Sequence, residues 1–230
     1  MSDFLFAPAV TPSVAVTGSA QRFPVHRIYC VGRNYAVHAR QIRSDPPVFF
    51  IKPADALVAG GAAVPYPPRT VALQPEIELV IAIGRDGQDI QERAALEHVF
   101  GYAAGIDLTR RDLQRAARQS GQPWSAAKAF DHSAPVAAIR PAAQGHVTQG
   151  RIWLAVNGEL RQESDVKHML WGVPNIIAEL STYYELRPGD LIFCGTPAGV
   201  VPVKPGDELE GGIEGLEVLR IRIAPPRRSA

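Results

Sequence analysis

Prolines interrupt this chain throughout: there are 20 among 230 residues, many beside Gly or Asp at turn-like positions. A proline removes a backbone donor and is poorly tolerated inside a helix or a central strand. Few stretches escape interruption for long, so short strands joined by many loops are expected. Between the prolines lie apolar runs rich in β-branched and aromatic residues, "RIYCVG", "VFFIK", "ELVIAIG", "IWLAV" and "DLIFC", which read as strands. "IWLAVNGELRQ" is a hairpin turning on Asn157-Gly158, a type I′ signature. Helices are expected over "DIQERAALEHVFGY", over "LTRRDLQRAARQS" up to Gly121 and Pro123, and over "VPNIIAELSTYYEL" with Pro174 in its first turn. A shorter one in "RNYAVHARQIR" is stopped by "SDPP". The spacing is too uneven for regular β-α-β alternation, so the expected class is α+β, dominated by mixed or antiparallel sheet. Residues 1–24 read as a short N-terminal edge segment before one domain over 25–230.

Composition narrows the function classes. A net charge of +1 with both signs interspersed offers no basic patch for nucleic acid and no polybasic anchor for lipid. No run approaches the ~18 apolar residues of a membrane span. "MSDFLFAPAV" lacks the basic and apolar regions of a signal peptide. Cys30 and Cys194 both sit in apolar runs and read as buried free thiols in a reducing cytoplasm.

The segment "LQPEIELVIAIG" carries the first chemistry. Alternate strand residues share a face, so Glu76 and Glu78 point together while Ile77, Leu79, Ile81 and Ile83 point into a core. Two adjacent carboxylates repel, and burial adds a desolvation penalty. The pair therefore needs either a wet strand end or a cation. Asp107, closing "YAAGID", is a third oxygen donor with no His or Cys cluster nearby. That donor set suits Mg²⁺ or Mn²⁺, admits Ca²⁺ and disfavours zinc. If the helix runs on from Asp107, Arg111 and Gln114 share its face and would offer a guanidinium and an amide to an anionic, oxygen-rich ligand. An ordinary Asp–Arg helix pair is the alternative. Lys128, in the mostly apolar "PWSAAKAF", is either a snorkelling or a catalytic lysine.

Taken together, "CVGRNYAVHAR", "FFIKPADALV", "PEIELVIAIG", "GYAAGIDLTRRDLQ", "PWSAAKAFD", "VNGELRQ" and "PGDLIFCGTPAGV" resemble, in order and over nearly the whole chain, segments of the fumarylacetoacetate hydrolase family. They look most like its bacterial branch acting on fumarylpyruvate in aromatic catabolism. The resemblance implies a mixed β-roll or β-sandwich core with a few short helices, a homodimer, and a Mg²⁺ or Mn²⁺ ion on Glu76, Glu78 and Asp107. It places substrate contacts on Arg111, Gln114 and Thr196, an active-site lysine at Lys128, and a catalytic histidine at His38 on a lid helix. Gln41 stands where family lids often carry Glu, and an amide orients an imidazole without supplying charge.

The implied reaction is hydrolysis of a carbon–carbon bond in a 2,4-dioxo acid, fumarylpyruvate giving fumarate and pyruvate. Decarboxylation or isomerisation of oxaloacetate-like or dienoic diacids on the same metal site is a second reading. A dicarboxylate binder that has lost turnover, suggested by Gln41, is a third. Loops 57–72 and 132–150 are expected to shape the substrate's far end.

Overall fold

The structure, a computed structural model, describes residues 4–35 and 46–227. Strands dominate. In chain order they are β1 Ser13–Ala15, β2 Arg22–Pro24, β3 Arg27–Gly32, β4 Val48–Lys52, β5 Leu57–Ala59, β6 Ala63–Pro65, β7 Leu73–Ile83 and β8 Val99–Arg110. The second half adds β9 Ala134–Val136, β10 Arg140–Pro141, β11 Arg151–Val156, β12 Glu159–Asp165, β13 Asp190–Phe193, β14 Glu208–Ile213 and β15 Leu219–Ala224. The α-helices are short: α1 Arg111–Ser120, α2 Ser125–Lys128 and α3 Val173–Tyr183.

The larger sheet runs β4-β3-β13-β7-β8-β9-β5, with β10 alongside β8. It is mixed, β3–β13 and β5–β9 being parallel and the other neighbours antiparallel. A second sheet runs β12-β11-β14-β15-β6. The alternation in β7 explains how the two meet. Ile77, Leu79, Ile81 and Ile83 enter a large core with Ile152, Leu154, Leu209 and Ile213 of the second sheet and Ile176, Ile177 and Leu180 of α3. The even-numbered side of β7 is buried too: Val80 and Ala82 pack with Phe193, Ala103 and Val136 beneath the β1–β2 hairpin. Glu76 and Glu78 therefore do not lie on a wet face but at the end of a second apolar layer.

The sequence-based elements hold in part. The Asn157-Gly158 hairpin forms, with φ of 53° and 79° at its two central residues. Helix α3 carries Pro174 in its first turn, and α1 ends at Gly121 with φ 64°. The helix expected over "DIQERAALEHVFGY" does not form. Only a 3-10 segment spans Glu92–His98, and Val99 onward is strand. Leu108–Arg110, expected in a helix, likewise stay in β8, because β8 pairs with β7 along its length, from Val99 opposite Ile83 to Arg110 opposite Leu73. Small residues on one face of β8, Gly101, Ala103 and Gly105, weakened its strand signature. Cys30 and Cys194 are buried and unpaired, and burial pushes both thiols well up from the usual range.

Candidate active site

The register of β7 and β8 assembles the acidic group. Glu76 stands directly opposite Asp107, and Glu78 opposite Gly105. Opposed residues in an antiparallel pair share a face, so all three carboxylates project from one side of one ladder. One oxygen from each lies within 4.8 Å of the others, and all three residues are buried. Oxygen donors around a single Mg²⁺, Mn²⁺ or Ca²⁺ ion, at about 2.1–2.4 Å from it, stand at most about 4.2–4.8 Å apart. The all-oxygen donor set and its spacing fit such an ion.

Two lysines brace the group. Lys128, only 3 % exposed at the end of α2, donates to Asp107 Oδ2 at 2.5 Å, Thr109 Oγ1 at 2.6 Å and Glu76 Oε2 at 2.9 Å. All three ammonium protons are thus engaged. Burial works against the charged form, but Asp107 and Glu76 outweigh it and hold Lys128 protonated well above the lysine range. It serves here as counter-ion and donor to Glu76 and Asp107. Lys52, fully buried at the end of β4, lies 2.8 Å from Asp107 Oδ1 and donates to the carbonyls of Leu108 and Lys128. Burial would push Asp107 up, but Lys128 and Lys52 overcome it and hold its carboxyl below the usual range. Glu78, 2 % exposed, is pushed well up, first by burial and then by the charges of Asp107 and Glu76. The Gly195 N–H donates to its Oε2 at 2.6 Å.

Above the triad opens a cleft of about 400 Å³, lined by Glu76, Glu78, Asp107, Arg111, Gln114, Lys128 and Thr196 together with residues of β3 and the 197–200 turn. Arg111 donates to Gln74 Oε1 at 2.5 Å and to Gln114 Oε1 at 2.6 Å, and its Nη2 lies 3.4 Å from Glu76 Oε1. Arg111 and Gln114 do reach the site, but not by helical continuation from Asp107: Asp107 is in β8, and α1 starts only at Arg111. The loops 57–72 and 132–150 do not line this cleft among the described residues. His38 and Gln41 lie outside the described residues. Just before them, buried Asn34 accepts from Trp171 N–H and donates to the carbonyls of Trp171 and Cys194.

Three residues that brace the site escaped the sequence reading. Lys52 is a lysine closing the apolar strand "VFFIK". Thr109 lies two residues past Asp107 on the same face and donates to Glu76 Oε1 at 3.1 Å. Gln162, fully buried on β12, accepts from Ile77 N–H and donates to Thr196 Oγ1 at 2.9 Å and the Pro197 carbonyl at 2.8 Å. Gln162 thereby fixes the Gly195-Thr196-Pro197 turn against β7. Nothing in the polar run "ELRQESD" marked it, since only the structure shows that Gln162 alone of that strand is fully buried.

Comparison with known proteins gives a consistent picture. The family described as "Fumarylacetoacetate (FAA) hydrolase C-terminal" matches residues 27–224. A fumarylpyruvate hydrolase of Ralstonia sp is 46% identical over 177 residues, covering 77% of this chain and 92% of that protein. The mitochondrial oxaloacetate tautomerase of Mus musculus is 43% identical over 202 residues, covering 85% and 90%. In three dimensions the chain superposes with a TM-score of 0.94 on the crystal structure of fumarylpyruvate hydrolase from Pseudomonas aeruginosa in complex with Mn²⁺ and pyruvate. Identity there is 49%, over 97% of this chain and 100% of the other. No helix among the described residues is long and apolar enough to cross a membrane.

Proposed function

Because the chain belongs to the fumarylacetoacetate hydrolase family, we propose that it is a divalent-metal-dependent hydrolase that splits a carbon–carbon bond of a 2,4-dioxo acid, with fumarylpyruvate as substrate. The observation that carries this reading is the cross-strand meeting of Glu76, Glu78 and Asp107 on one face, beneath a cleft that also presents Lys128, Arg111, Gln114 and Thr196. Glu76, Glu78 and Asp107 would hold Mg²⁺ or Mn²⁺, which when bound supplies Lewis acidity and a template for a chelating keto acid.

The residues divide the remaining work. Arg111 and Thr196 grip the carboxylate end of the acid, the guanidinium by charge and the hydroxyl by hydrogen bonding. His38 takes a proton from water, and the hydroxyl adds to the carbonyl at position 4. Lys128, with Gln114, donates to the oxygen that gains charge there. Lys128 can do so only by releasing one of its three present acceptors. Collapse of the adduct breaks the bond between positions 3 and 4. The acyl carbon leaves as the carboxylic acid bearing the hydroxyl, and position 3 takes up a proton. Fumarylpyruvate gives fumarate and pyruvate.

The similarity to oxaloacetate tautomerases supports a second reading, proton transfer within an oxaloacetate-like diacid. That reaction needs the metal, Lys128 and the carboxylate grip, but no attacking water. The test is a screen of acylpyruvates and oxaloacetate with added Mg²⁺ or Mn²⁺, following loss of the dioxo-acid absorbance and identifying products. Release of fumarate and pyruvate carries the hydrolase reading. Enol–keto exchange of oxaloacetate without acylpyruvate cleavage replaces it with the second. In this reading the enzyme is a cytoplasmic homodimer, and light scattering then gives about twice the 24.9 kDa of one chain.

A further inference from the structure

The cleft holds more positive charge than the metal site and one carboxylate grip can use. Lys52, Lys128, Arg33, Arg111 and Arg118 surround three carboxylates, and a bound divalent ion adds to the excess. Lys52, Lys128 and Arg111 have partners in or beside the triad. Arg33 and Arg118 line the same cleft and form no hydrogen bond or ion pair with a carboxylate among the described residues.

Their placement is specific. Arg118 lies with its guanidinium 4.8 Å from the centre of the Trp124 ring. The other side of the cleft brings β3 to the same indole: a Cβ at Gly32 would stand 3.8 Å from Trp124 Cζ3. The next residue, Arg33, has left the strand with φ 61°, a conformation that non-glycine residues adopt rarely. Trp124 thus stacks with Arg118 and packs near the backbone that leads into Arg33, and all three residues line the same cleft. Burial, and then the charges of Arg111 and Arg33, hold Arg118 below the ordinary guanidinium range, so the three cations feel one another. Glu76 offsets part of this repulsion at Arg118 but is already paired with Arg111 and Lys128, so a ligand carboxylate would relieve the remainder.

We propose that Arg33 and Arg118, with Trp124 beside them, form a second carboxylate subsite that makes the enzyme selective for dianionic keto acids over monoanionic ones. The inference rests on the keto-acid reading of the metal site and names its substrate class: an acid with a 2-keto carboxylate at one end and a free carboxylate at the other. A guanidinium pairs with a carboxylate through charge-assisted, often bidentate hydrogen bonds. A planar unsaturated linker between the two carboxylates suits stacking against Trp124.

The test uses two unreactive ligands of equal length, 2-oxoheptanedioate and 2-oxoheptanoate, which differ only in a terminal carboxylate against a methyl. Their affinities for the Mn²⁺-loaded full-length protein are measured by calorimetry. The wild type is expected to favour the diacid by about tenfold or more, the size of one good charge-assisted contact. In R33Q and in R118Q that ratio falls toward one. Equal affinity of the wild type for the two ligands, which needs no variant to fold, overturns the subsite. Equal weakening of both ligands by the substitutions also overturns it, because general anion attraction would act on either. Turnover of fumarylpyruvate is scored separately, so failure of the hydrolase reading is distinguishable from failure of the subsite.

Discussion

Replacing Lys52 by methionine removes a charge that touches no ligand in the proposed chemistry, yet the site depends on it. Its ammonium lies 2.8 Å from Asp107 Oδ1 with both side chains essentially buried. At an effective dielectric of about 20, that separation corresponds to roughly 6 kcal/mol of direct attraction. Removing Lys52 also recovers its own desolvation penalty, and Lys128 still faces Asp107 from 2.5 Å, so the full attraction is not lost. Two carbonyls, of Leu108 and Lys128, lose a donor as well. The expected net loss for breaking a buried pair of this kind is about 3–5 kcal/mol, or roughly 6–20 °C in melting temperature for a chain of this size. Equilibrium urea unfolding of Lys52→Met against wild type, in chelator and in saturating Mn²⁺, measures it. Bound ion should recover part of the loss, since it supplies the missing positive charge and binds only the folded site. A variant within about 1 kcal/mol of wild type in chelator would refute the claim that Lys52 neutralises Asp107.

Metal binding should release protons. The folded-state affinity of Glu78 for its proton is raised, so its contribution to stability is present below its unfolded pKa, about 4.3, and is lost as pH rises through the folded value. Asp107 is depressed and behaves oppositely: its contribution is present above about 3.9 and is lost as pH falls. Mn²⁺ affinity therefore rises with pH as Glu78 must ionise, and calorimetry in buffers of different ionisation enthalpy should show proton release; a buffer-independent enthalpy would contradict it. Gly105→Ala should destabilise by about 1–3 kcal/mol and weaken Mn²⁺ binding, because a Cβ there would stand 2.5 Å from Val80 Cγ2 and 2.7 Å from Phe193 Cε1; unchanged unfolding and metal titration would count against it. His38→Ala should abolish acylpyruvate hydrolysis while leaving Mn²⁺ affinity intact, and full activity would remove His38 as the base. Gln41→Glu should raise hydrolysis if an imidazole lacking a charged partner limits turnover, and an unchanged rate would show that the carboxylate is dispensable.

Alternation in "PEIELVIAIG" is local information: period two puts Glu76 and Glu78 on one side and the isoleucines on the other, whatever the rest of the chain does. Asn157-Gly158, Gly121 and Pro174 are equally local, because backbone φ at a turn or helix end depends on the residue itself. The class of metal was legible for the same reason, from the donor types alone. Other features depended on pairing between distant segments. Asp107 meets Glu76 because β7 and β8 pair in that register, and the same pairing holds Leu108–Arg110 in a strand despite their helical pattern. Lys52 enters from β4 and Gln162 from β12, in neither case with a spacing motif to mark it. A charge can be buried wherever opposite charges happen to surround it, and tertiary packing alone decides which segments those are. The chain's residue pattern therefore specified the donors and their faces, while the sheet register, a long-range property, decided that they meet on one face beneath one cleft.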